Sequence, residues 1–317
     1  MEKEVIPRYI AKVNEERLSH DLFYLSKYPL PYRKLNAVRP GQTKNTLYEA
    51  DDFIESRLRS LGYKVEKEAV QVQAFRCDCS KPKSQWFSQP DPSDPWYTAY
   101  NIYAKKKGKT RPDEIIVAIS HKDSQSWIDS PGAYDNAVGT VGNLEIARLL
   151  TNFSCDRSIW FIFCNEEHTP WTSVTAAQNA RFRGDNIVSV FNLDGLGGKS
   201  QKEVQNGRCT NVTLYTTPEG KRLADLMAEV NTTYRIGLVQ TSYQREFPND
   251  DDGSFIKAGY SAAVANIGSF PYADPNYHSE TDIPEFVDCH NVCLSVQASL
   301  AAILKVNKSQ HLPFLST

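Results

Sequence analysis

The run Ile115-Ile116-Val117-Ala118-Ile119-Ser120-His121-Lys122-Asp123-Ser124 decides the fold. Its first five residues are all apolar and lack the alternation of a half-exposed strand, so they predict a strand that is covered on both faces. His121 and Asp123 follow where this strand should end in a loop. Polar side chains directly after a buried strand are typical of the ligand crevice of open α/β sheets.

The same pattern recurs twice further along the chain. A second apolar run, 158–164, leads directly to Glu166 and Glu167, and a third, 187–193, ends at Asp194. Because the carboxyl ends of parallel strands meet at one edge of a sheet, these side chains are expected to lie close together. The sequence therefore predicts one shared site built from three strand ends.

Helical and strand-like patterns alternate along the rest of the chain. Apolar positions recur at helical spacing within 5–28, 47–61, 136–150, 173–182, 219–230 and 288–306. Further strand-like runs occupy 63–75, 98–104, 212–215 and 261–267, and a basic hairpin is expected to join 98–104 to 114–120. This alternation predicts an α/β three-layer sandwich, with a mixed, largely parallel central sheet and helices on both faces.

Length and composition predict a single domain over residues 1–317. With 40% hydrophobic and 23% charged residues and a formal net charge of −2, the chain gives no electrostatic reason to expect nucleic acid or an anionic membrane as a partner. No apolar stretch is expected to reach the length of a membrane span. Proteins that work through a strong surface charge or a membrane anchor are therefore not favoured.

Residues 77–97 are rich in Ser, Pro, Asp and Lys and contain Trp86 and Trp96. They predict an irregular insertion, which is either a surface loop pinned by the two tryptophans or a segment over the site. The seven cysteines leave at least one thiol unpaired and include no Cys-x-x-Cys pair of a structural zinc site. The N-terminus lacks the pattern of a signal peptide. The compartment stays open, with a slight preference for a secreted or periplasmic protein whose signal has been removed.

The residue types at the predicted site point to metal chemistry. A metal-bound imidazole needs a hydrogen-bond acceptor on its other nitrogen, and Asp123 is placed to accept from His121, although a loop-capping role would also explain this aspartate. The adjacent carboxylates Glu166 and Glu167 repel each other unless a cation holds one while the other takes a proton. An isolated pair would instead indicate a solvated turn.

Two further residues are predicted to complete the site. Asp135, in the run Gly132-Ala133-Tyr134-Asp135-Asn136, precedes a helix that is expected to begin near Asn136. It would either cap that helix or bridge two cations. His278 lies in a polar loop, Asn276-Tyr277-His278-Ser279-Glu280-Thr281-Asp282, that would fold back across the site.

The order His-x-Asp, Gly-Ala-x-Asp-Asn, Glu-Glu, Asp, His resembles that of metallopeptidase family 28 in clan MH. This family contains co-catalytic zinc aminopeptidases that are related to glutamate carboxypeptidase and the transferrin receptor. The resemblance extends from the helix near Leu47 to the C-terminal helix. It implies the sandwich fold of the zinc peptidases, which is of the phosphorylase/hydrolase-like type.

Carried over position by position, the resemblance implies two zinc ions per chain. One is held by His121, Asp135 and Asp194, and the other by Asp135, Glu167 and His278, so that Asp135 bridges them. Mixed histidine and carboxylate ligation suits zinc, and such paired ions support hydrolysis.

The resemblance further implies an exopeptidase that hydrolyses the N-terminal peptide bond of a peptide with a free N-terminus. Glu166 would be the general base for a water between the metals, and Asp123 the hydrogen-bond partner of His121. Tyr277 matches a tyrosine that some relatives use to steady the tetrahedral intermediate.

The chain departs from the family pattern in two places. A Gly-x-x-Gly-Ser pattern usually follows the glutamate pair, but residues 168–173 read His-Thr-Pro-Trp-Thr-Ser, so Trp171 or His168 is expected to enter the substrate pocket. A Ser-Asp-His segment usually precedes a phenylalanine, but residues 250–254 read Asp-Asp-Asp-Gly-Ser before Phe255. Because these segments can shape the substrate pocket, the resemblance says less about substrate preference than about the reaction.

Proteins with other functions share parts of this sequence pattern. A glutaminyl-peptide cyclotransferase with a single zinc shares the His-x-Asp-Ser run and the glutamate pair, but Asp135-Asn136 with Gly139 and the loop at Tyr277 and His278 fit the aminopeptidases better. A carboxypeptidase of the same clan is a comparable alternative. A metal-free binding domain should have lost ligands, and a glycosidase would use paired carboxylates without needing the two histidines.

Overall fold

A nine-stranded mixed sheet forms the centre of the computed structural model, which describes residues 2–312. Along the chain its strands are β1 (Val65–Ala74), β4 (Tyr97–Lys106), β5 (Arg111–His121), β6 (Arg157–Cys164), β7 (His168–Thr169), β8 (Asn186–Leu193), β9 (Thr210–Tyr215), β10 (Val239–Gln244) and β11 (Ala263–Ile267), while β2 (Arg76–Cys77) and β3 (Phe87–Ser88) form a separate hairpin. The order across the sheet is β10-β9-β11-β8-β5-β6-β4-β1-β7. The central strands β11, β8, β5 and β6 run parallel, and β4 and β1 are antiparallel additions at one side.

Helices cover both faces of this sheet. They are α1 (Glu2–Ile10), α2 (Glu15–Ser26), α3 (Thr46–Ser60), α4 (Val138–Leu150), α5 (Thr172–Arg183), α6 (Gln201–Gln205), α7 (Pro218–Thr233), α8 (Asp250–Lys257) and α9 (Cys289–Lys308). The predicted α/β sandwich with a mixed, largely parallel sheet is confirmed.

The central strand β5 divides the core into two layers. Ile116 and Ala118 point into the larger core, which packs against α1 to α4, α7 and α9. Val117 and Ile119 point to the opposite face and into a smaller core with α5 and α8. This is why residues 115–119 are all apolar, and the prediction that this part of the strand is buried on both faces is confirmed.

The predicted hairpin between 98–104 and 114–120 is wrong. The strands β4 and β5 are not neighbours, because β6 lies between them and pairs antiparallel with β4 and parallel with β5. Strand β5, in which residues 115–121 are all buried, takes the interior of the sheet. The more exposed β4 lies nearer the edge, so the basic turn between them crosses over the end of β6.

Two helix boundaries differ from the predicted ones. The apolar pattern at 5–28 forms two helices, because the side chain of Asn14 accepts a hydrogen bond from the backbone N–H of Arg17 and starts α2 anew. The helix predicted from Asn136 begins at Val138, after a turn in which Asp135 and Asn136 have non-helical dihedral angles and a cis peptide bond joins them. Asp135 therefore does not cap this helix.

Within residues 2–312, α9 alone has the length and apolar composition of a membrane span. The sequence expectation that no stretch reaches this length is wrong in that respect, because the serine, asparagine and glutamine residues of α9 are outweighed by its apolar ones. In the fold, 72% of the apolar window is buried inside the protein.

The predicted insertion, residues 77–97, contains local structure. It holds part of the β2–β3 hairpin and a short 3₁₀ turn, Lys83–Gln85. Trp96 is 58% exposed and does not pin the segment. Phe87 is also exposed, although its ring contacts Phe75 and Trp127.

Candidate metal centre

Three neighbouring parallel strands deliver the polar residues to one edge of the sheet. His121 is the last residue of β5, Glu166 and Glu167 follow β6, and Asp194 follows β8. Because β5 lies between β6 and β8, their carboxyl ends meet there. Asp135, from the turn before α4, and His278, from the loop after β11, complete the group.

The two imidazoles face the carboxylates at short range. His121 Nε2 lies 3.1 Å from Asp135 Oδ1 and 3.4 Å from Asp194 Oδ1. His278 Nε2 lies 3.0 Å from Asp135 Oδ2 and 3.6 Å from Glu167 Oε1. The structure thus brings all five predicted ligands together, and the two oxygens of Asp135 face different histidines.

Within residues 2–312, two sets of ligand atoms lie close enough to hold a metal ion. The donor atoms of His121, Glu166 and Asp194 lie within 4.8 Å of one another, and so do those of His121, Asp135 and Glu167. In the same part of the chain, the ion pairs that involve Asp135, Glu167 and Asp194 are all with histidines. Such a concentration of carboxylates without a lysine or arginine partner favours a bound cation.

Hydrogen bonds between the acids and the histidines shift their pKa values in opposite directions. Although burial opposes the charged form, the hydrogen bonds to Asp135 and Glu167 raise the pKa of His278 to about 10. The pKa of Asp135 falls below its ordinary value despite burial, because His121 and His278 donate to it. Burial, reinforced by the charge of Asp135, raises the pKa of Glu167 to about 7.

Asp123 connects one histidine to the glutamate pair. It is fully buried, and its Oδ1 lies 3.2 Å from His121 Nδ1 and accepts the backbone N–H of Glu166 at 2.9 Å. Its Oδ2 accepts the backbone N–H of Glu167 at 2.9 Å and lies 2.8 Å from His168 Nδ1. Asp123 therefore turns His121 Nε2 towards the site and also fixes the backbone that carries both glutamates.

His168 does not enter a substrate pocket. It is fully buried, and its Nε2 accepts the backbone N–H of Leu35 at 3.3 Å, which leaves Nδ1 to donate to Asp123. The expectation that His168 lines the pocket is wrong, because the ring is fully buried and contacts Asp123 and the backbone of Leu35. Trp171 is half-buried at the start of α5.

The turn that carries Asp135 is held from two directions. The carboxylate of Asp282 accepts the backbone N–H groups of Tyr134 at 2.7 Å and Asp135 at 3.0 Å. Asn136 donates from Nδ2 to the carbonyl of Leu193 at 2.9 Å, just before Asp194. These contacts fix the spacing between the Asp135 turn and the end of β8.

Arg33 also stabilises the turn that carries Asp135. Its guanidinium is fully buried and donates at 2.6–2.8 Å to the backbone carbonyls of Leu25, Lys122, Pro131 and Gly132. It therefore joins the loop after His121 to the turn before Asp135. Burial lowers the pKa of Arg33 to about 10, although Asp282, Asp123 and Asp135 act in the opposite direction.

Sequence reasoning missed three of these supporting residues. Asp282 follows His278 closely in the run Ser279-Glu280-Thr281-Asp282, which was a usable signal. Gln125 donates to Asp135 at 2.8 Å and to Glu167 at 3.3 Å, and it directly follows the His-x-Asp-Ser run. Arg33 carries no comparable signal, because its partners are backbone carbonyls in distant segments.

Glu166 lies in an acidic environment that sequence reasoning also missed. The residue is partly exposed, but its Oε2 is buried and has no hydrogen-bond partner among the described residues. Burial, together with the charges of Asp251 and Asp250, raises the pKa of Glu166 well above its ordinary value. A carboxylate in this environment is a better proton acceptor at neutral pH than an ordinary one.

Tyr277 packs directly on a histidine of the site. Its ring stacks on His278 with 3.8 Å between centroids and an interplanar angle of 22°. The ring of Tyr272 also stacks on Tyr277, with 4.9 Å between centroids. Burial raises the pKa of Tyr277 well above its ordinary value, so the phenol keeps its proton at neutral pH. It can therefore donate a hydrogen bond.

The model of the family described as Peptidase family M28 matches residues 101–302. A probable aminopeptidase of Saccharomyces cerevisiae is 25% identical over 65% of this chain and 57% of its own length, so the chain spans little more than half of that relative.

Two solved structures share the fold. An aminopeptidase from Aneurinibacillus sp. strain AM-1 has a TM-score of 0.73, with 16% identity and 98% of each chain covered. A glutaminyl cyclase of Bacteroides thetaiotaomicron has a TM-score of 0.67 and 16% identity, covering 92% of this chain and 97% of its own. At these identities the likeness concerns the fold alone.

Proposed function

The chain belongs to peptidase family M28, and on this premise we propose that it is a zinc-dependent aminopeptidase, which hydrolyses the N-terminal peptide bond of peptides. The names of the yeast and Aneurinibacillus proteins support this activity. The proposed reaction takes place at the metal centre described above.

The main observation that supports a two-metal site is the position of Asp135. Its Oδ1 faces His121 and its Oδ2 faces His278, at 3.1 Å and 3.0 Å. Imidazole nitrogens and carboxylate oxygens are donors that suit zinc. We propose two zinc ions per chain, one held by His121, Asp135 and Asp194 and the other by Asp135, Glu167 and His278.

The chain's own residues divide the remaining work. Zinc in such a site supplies Lewis acidity, which lowers the pKa of water and polarises a carbonyl. Glu166 accepts the proton of the attacking water and passes it to the leaving amine as the C–N bond breaks. The raised pKa of Glu166 supports this role, because a carboxylate with a raised pKa holds a transferred proton more readily than an ordinary one.

Other residues orient the reactants. Asp123 holds His121 and the backbone of the glutamate pair in register. Tyr277 keeps its proton and can donate it in a hydrogen bond to the oxygen on which negative charge develops. The concentration of carboxylates favours a substrate with a free N-terminal ammonium group.

Metal content and activity, measured on the same preparation, test the proposal. The protein should contain about two zinc ions per chain and hydrolyse aminoacyl-arylamides, and a chelator should abolish this activity until zinc is restored. One zinc ion, no hydrolysis and cyclisation of an N-terminal glutamine would establish a glutaminyl cyclase instead. No metal and no activity would contradict both proposals.

A further inference from the structure

Two thiols lie side by side at the start of the insertion. Cys77 is the last residue of β2, Cys79 begins the turn that follows it, and both are exposed. Their Sγ atoms are 3.4 Å apart and form a hydrogen bond. The pair takes no part in the proposed metal centre, so its proximity calls for a separate explanation.

The local backbone brings the two thiols together. Side chains two residues apart in a strand point to the same face. The backbone N–H of Asp78 donates to the carbonyl of Trp86 at 2.6 Å, and the carboxylate of Asp78 accepts the backbone N–H of Ser80 at 3.1 Å. These contacts fix the residue between the two cysteines, so the thiols stay next to each other while the hairpin is formed.

This geometry permits a bond between the two sulfur atoms. Two residues of an extended strand advance about 6.6 Å, and disulfides join Cα atoms that are up to about 6.8 Å apart. The two sulfur atoms have to approach each other by about 1.4 Å to reach bonding distance. Rotation about the side-chain torsions can supply this movement, because both cysteines are exposed.

The thiols elsewhere in the chain are less accessible to a dissolved reagent. They are buried or half-buried: Cys155, Cys164, Cys209, Cys289 and Cys293. Burial raises the pKa of Cys155 and Cys293 to about 11, and Cys164 donates from its thiol to Asp251 Oδ2 at 2.9 Å. Because thiol reactivity follows exposure and the thiolate fraction, exchange with a dissolved disulfide is directed to Cys77 and Cys79.

We infer that Cys77 and Cys79 form a redox-active pair, which closes to an intrachain disulfide by exchange with a low-molecular-weight disulfide such as glutathione disulfide. One thiolate attacks the reagent, forms a mixed disulfide and releases one glutathione thiolate. The second cysteine thiolate then attacks the protein sulfur of the mixed disulfide, and the second glutathione leaves. The protein loses two electrons and two protons, and glutathione disulfide gains them.

Peptide mapping of the intact purified chain tests this inference. Trypsin cleaves after Arg76 and Lys83 and gives the peptide 77–83, which contains both thiols and no other cysteine. After incubation with glutathione disulfide and then iodoacetamide, this peptide should be lighter by two hydrogen atoms and carry no label. Reduction with dithiothreitol before labelling should restore two labels.

The pH of the incubation matters because the thiolate is the attacking species. Partial desolvation and the hydrogen bond to Cys79 raise the pKa of the Cys77 thiol above its ordinary value. The incubation is therefore made at about pH 8.5, where more thiolate is present than at neutral pH.

Single variants separate an intrachain disulfide from two independent modifications. Cys77→Ser and Cys79→Ser each keep one thiol of the pair, and their peptide should accumulate one glutathione instead. Cys289→Ser, which removes a half-buried cysteine of α9, should behave as the wild type.

Three results on the wild-type peptide would each overturn the inference. They are two labels after treatment with glutathione disulfide, glutathione bound to both thiols, and a disulfide to a cysteine outside residues 77–83. The measurement needs neither metal nor turnover, so its outcome is independent of the proposed peptidase function.

Discussion

Asp135 is the residue that both halves of the site share, because each of its carboxylate oxygens faces a different histidine. Glu166, in contrast, has one buried oxygen without a hydrogen-bond partner among the described residues. The two acids therefore differ in function within the proposal: one holds metal, and the other moves a proton.

Substituting these two acids should separate metal binding from catalysis. Glu166→Gln keeps the shape of the side chain but cannot accept a proton, so kcat should fall by a factor on the order of 10² to 10⁴ with zinc content unchanged. Asp135→Ala should lose zinc and activity together. Metal analysis and steady-state kinetics on both variants check this, and full activity in Glu166→Gln would remove the proposed base.

At the residue scale, the sequence predicted which side chains lie close together when each of them stands at the end of a buried strand. His121, Glu167 and Asp194 were found in this way. Asp282 and Arg33 were not, because they act on backbone groups that are remote in sequence. A hydrogen bond to a distant carbonyl leaves no periodic or spacing signal in the chain.

Individual helices and strands could be predicted when their buried positions follow a regular pattern of apolar residues. The apolar β5 was recognised because it is covered on both faces. Strand β10 was missed because it lies at the sheet edge, is mostly exposed and carries polar residues. Helix α8 was missed because it opens with three aspartates that are buried beside the site, which is unusual for charged residues.

The position of β6 between β4 and β5 illustrates a second limit. Each strand was recognised locally, but the order of strands depends on which of them best fills the interior. Consecutive strands are often neighbours, and here that tendency gave the wrong pairing.

Arg33 connects separate elements, so its substitution should lower the stability of the whole fold. Arg33→Met would leave four backbone carbonyls, on three segments, without their donor. We expect a loss of about 3 kcal/mol or more in the free energy of unfolding, because unpaired buried polar groups are costly. Urea denaturation measures this, and Arg59→Met, which removes an exposed arginine paired with Glu55, is the matched control. An equal effect of both substitutions would contradict the prediction.

At the scale of the whole molecule, the buried acids make the stability of the metal-free protein depend on pH. Burial raises the pKa of Asp251 to about 6 and those of Asp252 and Asp282 to about 7, well above the ordinary value of 3.8. The folded chain thus takes up protons near neutral pH that the unfolded chain does not, so stability rises as pH falls through 7. His278, with a pKa raised to about 10, changes stability in the same direction.

We therefore expect the protein in excess chelator to melt at a higher temperature at pH 5.5 than at pH 8, with a difference on the order of 5 °C. The lowered pKa values of Asp123 and Asp135 do not oppose this, because their effect begins only at more acidic pH. Thermal unfolding at a series of pH values measures it. Asp252→Asn should flatten the profile, and a melting temperature that rises from pH 5.5 to pH 8 would contradict the prediction.

The spread of the site along the chain has a consequence for its synthesis. The proposed ligands begin at His121, and the last of them, His278, lies just before α9. A ribosome releases the chain from its N-terminus, so a nascent chain that ends before His278 contains all nine strands of the sheet but lacks one proposed ligand and α9. Under the proposed function, catalytic competence is therefore acquired late in translation, and a product that stops before that residue should be inactive.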